Sequence, residues 1–245
     1  MKTTLLKLAI LALIAAAGCT KYDNYAAPEA GIFGNIIDAE TGQPIETKQP
    51  GGGSIRLLQW DLQKYPSPQP VDISIKADGT YSSTRFFADD YKAFPWNGPF
   101  RYLDDSVNVT LSDGRLTELN FEVHPYYRVA ATVSDSTFTY TLTKSAANDS
   151  KLVEVIFMVN DYPIVNENVC SNVAGPGTYY PNLWKLPIGD DVADEAIMDM
   201  PQTFTINWAE TRLPKGDYYF RVGARAASSP SSTYNYSPVV KATVN

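Results

Sequence analysis

Apolar and polar residues alternate along short runs of this chain, and the runs end at turn-forming pairs. Val71, Ile73 and Ile75 alternate with Asp72, Ser74 and Lys76 before Asp78-Gly79, and Val107, Val109 and Leu111 alternate with Asn108 and Thr110 before Asp113-Gly114. A period of two sends every second side chain to one face, so each run predicts a half-buried strand. Glycine supplies the positive φ that a tight reversal requires, so residues 80–87 and 119–123 are expected to return as the hairpin partners of these two runs. Further runs open at Ile32 and Ser54, and after residue 125 the same period recurs at Phe138, Tyr140 and Leu142, at Phe204, Ile206 and Trp208, and at Val240, Ala242 and Val244. Residues 152–160 are apolar almost throughout, the pattern of a central strand covered on both faces. With 16 Tyr and 10 Phe, the chain is rich in residues that favour strands, and the reading is all-β.

The first 23 residues fix a cellular address. Lys2 and Lys7 form a positive end, residues 8–17 an apolar run, and Ala16-Ala17-Gly18 places small residues directly before Cys19. This is the pattern of a cleaved secretory signal; a spanning helix would need roughly 20 apolar residues. The Cys19 segment resembles a bacterial lipoprotein lipobox, although Ala16 stands where Leu is more usual, and Ala15-Ala16-Ala17 also fits ordinary secretion. The resemblance implies that residues 1–18 are removed, that the Cys19 thiol carries lipid, and that residues 19–29 tether the protein to the outer membrane, at its surface or its periplasmic side.

Charge and cysteine content narrow the partners. The whole chain carries −7, and without Lys2 and Lys7 the mature part carries −9, with no basic cluster to neutralise phosphates, which argues against nucleic acid. Of the two cysteines, Cys19 is assigned to lipid, so Cys170 has no partner within the chain and reads as a small buried apolar residue. The folds must stand on their cores.

A boundary is expected at His124-Pro125, giving domains over residues 30–123 and 124–245. Gly34-Asn35-Ile36-Ile37-Asp38, Thr41-Gly42-Gln43-Pro44-Ile45 and Asp78-Gly79-Thr80-Tyr81 together resemble the carboxypeptidase regulatory-like, transthyretin-type sandwich, with residues 88–105 as an aromatic insertion. In the second half, Leu213-Pro214-Lys215-Gly216 ahead of Tyr218, Phe220, Val222 and Ala224 resembles the corner tyrosine of fibronectin type III and immunoglobulin-like sandwiches. The expected architecture is thus two tandem β-sandwiches. Taken whole, the chain resembles an uncharacterised family of Bacteroidota-type surface lipoproteins, domain of unknown function 3823. That resemblance implies an accessory role in polysaccharide uptake beside SusC- and SusD-like outer-membrane proteins.

Candidate binding residues follow from the aromatic segments. Tyr91, Phe94, Trp96 and Tyr102 could stack on sugar rings while Asn97 and Arg101 bond hydroxyls, and Tyr179, Tyr180 and Trp184 form a second such group. The competing reading is that these rings pin a loop to the fold. Asp190, Asp191, Asp194 and Glu195 lack the tight alternation of a calcium loop, and a short helix after Gly189 with acids at its positive end accounts for them better. His124 and Cys170 sit in no nucleophile or metal motif, and no pair of carboxylates stands out for glycoside hydrolysis. The sequence therefore predicts a binding or assembly protein that is not an enzyme and needs no cofactor or metal, with oligosaccharide as the expected ligand. A structural, fimbrillin-like surface subunit is the alternative. Against it, such pilins resemble proteins cleaved after an arginine ahead of the first core strand, and the earliest arginine here is Arg56, inside an expected strand.

Overall fold

The computed structural model describes residues 26–134, 137–170, 172–175, 178–181, 183–205, 214–230 and 233–244, with side chains described outside residues 171–185. Cys19, Ile206 and Trp208 lie outside them. Nine strands make up the N-terminal half: β1 (Ala30–Asp38), β2 (Ser54–Gln59), β3 (Val71–Ser74), β4 (Thr80–Phe86), β5 (Asp89–Trp96), β6 (Phe100–Arg101), β7 (Val107–Leu111), β8 (Leu116–Glu118) and β9 (Phe121–Pro125), the last running through His124-Pro125, which pair with β6. Ten follow: β10 (Tyr127–Ser134), β11 (Thr137–Lys144), β12 (Leu152–Asn160), β13 (Asn172–Gly175), β14 (Thr178–Pro181), β15 (Leu183–Pro187), β16 (Gln202–Thr205), β17 (Gly216–Ala226), β18 (Asn235–Tyr236) and β19 (Val240–Val244).

In the N-terminal half, a sheet ordered β4-β1-β9-β6 packs against a sheet ordered β3-β2-β5-β7. Their inner faces make one core, which includes Ile32, Ile36, Ile55, Leu57, Tyr81 and Phe121. One edge of β1 serves two partners in parallel, β8 at Gly31–Phe33 and β9 at Ile36–Asp38, with Leu119 crossing between them. Gly34 permits that crossing, since a Cβ there would lie 1.8 Å from the Leu119 carbonyl oxygen.

Both expected hairpins are corrected. β3 pairs with β2 while β4 pairs with β1 in the other sheet, and β7 pairs with β5 while β8 and β9 pair with β1. The Asp78-Gly79 turn is present, with Gly79 at φ 78° and Gly79 N donating to Lys76 O at 3.0 Å, but the chain leaves it for the opposite sheet. Alternation fixes which side chains face inward; it does not say which strand lies alongside. The expected insertion over residues 88–105 is likewise largely regular structure, because β5 is the strand between β2 and β7.

In the C-terminal half, the sheet β10-β11-β16 faces the sheet β15-β12-β17, with β18 and β19 on the far edge of β17. Phe138, Phe157, Phe204 and Phe220 fill the space between, Phe157 stacking on Phe204 at 4.2 Å and 9°. The other face of β12 is covered as well, because Ile156 and Met158 pack with Val165, Tyr234 and Tyr236. That double cover is why residues 152–160 carry so few polar groups. Tyr218 Oη donates to Pro214 O at 2.9 Å, so the corner tyrosine closes as its sequence predicts. After Gly189 the chain makes only a single 3-10 turn, Asp194–Ala196, in which Asp194 is buried rather than solvated. Its carboxylate accepts Lys144 Nζ at 2.8 Å and Leu152 N at 3.1 Å, a tertiary role that favours one turn over a longer helix.

The two halves meet along a charged seam. Arg128 donates to Asp38 at 2.5 and 2.9 Å and reaches Glu40 at 2.9 Å, while Glu40 also accepts Ser145 Oγ at 2.5 Å and Ala146 N at 2.9 Å. Lys48 pairs with Glu167, and Asn166 Nδ2 donates to Gln49 O at 2.9 Å. Arg221 Nη2 donates to Glu46 at 2.7 Å, and Asn235 Nδ2 to Pro99 O at 2.8 Å.

Because Phe157 is fully buried and touches three aromatic neighbours, Phe157→Ala is expected to cost about 3–5 kcal/mol in urea unfolding. A cost under ~1 kcal/mol would contradict the packing described.

Candidate exposed aromatic face

The sheet β3-β2-β5-β7 has one face in the core and one in solvent. Along β5, Tyr91, Ala93 and Pro95 point inward, and Asp90, Lys92, Phe94 and Trp96 point outward. Along β2, Ile55 and Leu57 are buried while Ser54, Arg56 and Leu58 lie on the outer side. The register sets Arg56 opposite Phe94 on one flank and opposite Asp72 on the other. These outward residues meet in one cluster.

Arg56 Nε and Nη2 each donate to Asp72 at 2.8 Å, a two-pronged contact that fixes the guanidinium plane. That plane lies over the Trp96 ring, with Cζ 4.5 Å from the ring centroid, a cation–π contact. Phe94 meets Trp96 edge to face at 6.1 Å and 88°. Trp96 nevertheless remains 45% exposed. Arg56 covers one face of the indole and Phe94 braces its edge, so the ring is oriented before any ligand arrives. The hydrogen bonds from Arg56 hold the Asp72 carboxyl below the usual carboxylate range, and Asp72 raises the Arg56 guanidinium in return. The pair is therefore ionised at neutral pH. Asn97 follows at φ 56°, and the Gly98 position must be glycine because a Cβ would lie 2.0 Å from the Phe100 ring.

The remaining sequence candidates separate. Tyr91 is 4% exposed, packs edge to face on Phe86 at 5.7 Å, and donates to Phe87 O at 3.1 Å; burial pushes its phenol up to about 12. It offers no face to a ligand. Tyr102 is half-buried against Phe121 at 5.9 Å, on the rim of the core. Arg101 turns to the other domain, where Nη1 donates to Ala147 O at 2.6 Å and Asp149 at 3.1 Å, so it belongs to the seam rather than to Trp96. Tyr179 and Tyr180 fall on β14 and Trp184 on β15 opposite Phe157, with side chains outside the described part. Cys170 is half-buried, and burial raises its thiol pKa, which disfavours the thiolate. His124 lies at the seam with Nδ1 3.8 Å from Glu40. Among the described residues, no three His, Cys, Asp or Glu side chains group as a metal ion would need. Arg56 and Asp72 are the site residues that sequence reasoning missed. Their alternation placed both on the outer side of strands, but only the β2 register puts them together.

The fold and this face define a tandem β-sandwich protein with an exposed aromatic platform on its first domain. Residues 30–124 match the family described as "Protein of unknown function (DUF3823) N-terminal domain". A DUF3823 family protein from Bacteroides uniformis is 20% identical, and the similarity covers 89% of this chain and 100% of that one with a TM-score of 0.69. One from Parabacteroides merdae is 21% identical, with 90% and 100% covered and a TM-score of 0.63. A proposed carbohydrate binding protein from Bacteroides uniformis is 23% identical, with 89% and 100% covered and a TM-score of 0.66. At these identities the likeness is one of fold, and it extends over both sandwiches. Comparison with the curated proteins gives no match.

Since Trp96 and Arg56 lie on an outer face, Trp96→Ala and Arg56→Ala are each expected to change unfolding free energy by less than ~1 kcal/mol, as for exposed pairs. A loss above ~3 kcal/mol for Trp96→Ala in chemical denaturation would make the ring a structural pin.

Proposed function

We propose that this protein is a non-catalytic, membrane-anchored carbohydrate-binding lipoprotein, and that the outer face of β2 and β5 around Trp96 is its glycan platform. The observation that carries the reading is an indole left 45% exposed while Arg56 and Asp72 fix its orientation. The apolar face of a sugar ring stacks on such a ring, and carboxylate and guanidinium groups at its margin bond the hydroxyls. Orienting the ring beforehand lowers the entropy lost on binding. The fold shared with a proposed carbohydrate binding protein supports the same reading.

The lipobox-like Cys19 segment supports anchoring at the outer membrane, and the family resemblance supports an accessory binding or assembly role beside SusC- and SusD-like uptake proteins. No helix among the described residues is long and apolar enough to cross a membrane.

Two experiments test this. On a glycan array, wild-type protein is expected to retain oligosaccharides that Trp96→Ala and Asp72→Ala lose, while Tyr102→Ala, folded, keeps them; retention by Trp96→Ala would end the platform reading. In cell fractionation, Cys19→Ala is expected to lose the acylated N-terminal peptide seen by mass spectrometry and to leave the membrane pellet. A wild-type protein that is already soluble and unacylated would contradict anchoring.

A further inference from the structure

The N-terminal sandwich has two ends, and they differ in kind. At one, Asp38, Glu40 and Glu46 are engaged by Arg128 and Arg221 of the second domain. At the other, β1 begins. Glu29 O accepts Gly114 N at 3.1 Å, Gly31 N donates to Arg115 O at 2.9 Å, and Ala30 pairs with Phe86, so the start of β1, the end of β4 and the turn before β8 lie together. The loop after β2 joins them there, because Lys64, Tyr65 and Gln59 all bond Asp89 at the start of β5. Four large apolar side chains stand in solvent at this end: Trp60 at 46%, Leu62 at 64%, Phe87 at 50% and Leu116 at 55% exposure.

A single exposed leucine needs no explanation, but four large apolar groups brought to one end from three separate segments do. Leu62 is also held in place. Asp61 Oδ1 accepts Gln63 N at 2.9 Å and Lys64 N at 3.2 Å, and Tyr65 N donates to Asp61 O at 2.7 Å, which closes a compact turn with Leu62 at its tip. This is also the end at which the chain arrives from Cys19. The intervening stretch of about eleven residues reaches at most roughly 40 Å even when extended, so an anchor at Cys19 keeps this end within that distance of the bilayer.

We infer that the β1-start end of the N-terminal sandwich rests on the lipid surface, with Trp60, Leu62, Phe87 and Leu116 entering the interfacial layer. The inference goes beyond the glycan platform and rests on the proposed lipidation of Cys19. Charge selects the kind of lipid. Arg85, Arg115 and Lys64 at this end are offset by Glu29, Asp61, Asp89 and Asp113, so contact is driven by apolar and aromatic groups and suits zwitterionic headgroups. The second domain is held at the opposite end, about 30 Å away along the nine residues of β1. Trp96 closes the same far end of β5, away from the lipid.

The test uses the mature lipoprotein purified from membranes and reconstituted into phosphatidylcholine vesicles, with or without bromine on the acyl chains. Bromine quenches tryptophan only on close approach. The expected result is a fall in emission in brominated vesicles that Trp60→Phe abolishes. Leu62→Asp combined with Phe87→Asp should remove the same quenching while the protein still floats with the vesicles and keeps its melting temperature. Wild-type protein that floats with both vesicle types and emits equally in each overturns the inference while leaving lipidation intact. Protein that neither floats nor shows an acylated Cys19 peptide overturns lipidation and the inference with it.

Discussion

Arg221 is 2% exposed, and satisfying it ties the second domain to the first. A buried guanidinium costs several kcal/mol in lost hydration unless its donors find acceptors. Nε donates to Ser237 O at 2.8 Å and Nη1 to Val165 O at 3.2 Å, both within the second sandwich, and Cζ lies 4.6 Å over the Tyr236 ring. Among the described residues, the carboxylate that it touches directly is Glu46, in the first sandwich. Burial lowers the Arg221 pKa and raises that of Glu46, and each charge is the other's compensation. Separating the domains would leave the second sandwich with a charge in its interior facing an empty place.

The other seam contacts add to this constraint with the opposite pH sign. Burial pushes the Asp38 carboxyl up, but its hydrogen bond from Arg128 and the further donors around it bring it below its ordinary value. A depressed carboxyl stabilises the fold above its unfolded pKa, and that contribution disappears as pH falls through the folded value. Glu46, raised, weakens the charged state instead. As pH falls, Glu46 with its raised pKa therefore takes up a proton before Asp38 does, so the Arg221–Glu46 pair loses its charge first and the Arg128 contacts to Asp38 persist to lower pH. A rigid seam also gives the exposed face a fixed setting: β5 carries Trp96 outward, and a few residues further on Arg101 is tied to Ala147 and Asp149 across the junction.

Much of the fold was legible because local rules decide it. The corner at Tyr218, the doubly covered β12 and the inward parity of Ile55, Leu57, Ile73 and Ala93 all follow from spacing within a few residues. What failed needed information from far along the chain. Asp78-Gly79 reads as a turn, and it is one, but whether the chain leaves it for the same sheet depends on β1 and β2, about 20 to 50 residues earlier. The aromatic segment mixed three fates, since Tyr91 and Trp96 differ by an odd number of positions and so face opposite sides of one strand. Arg56 and Asp72 are 16 residues apart and Arg221 and Glu46 are 175 apart, and neither pair has a sequence signal beyond its charge.

The central claim is that the two sandwiches act as one unit because Arg221 and its seam partners couple them. Differential scanning calorimetry at neutral pH tests it most directly. The account predicts a single transition whose calorimetric and van't Hoff enthalpies agree, and a split into two transitions in Glu46→Ala, where Arg221 loses its carboxylate. Two resolved transitions in the wild-type protein, unchanged by Glu46→Ala, would contradict it.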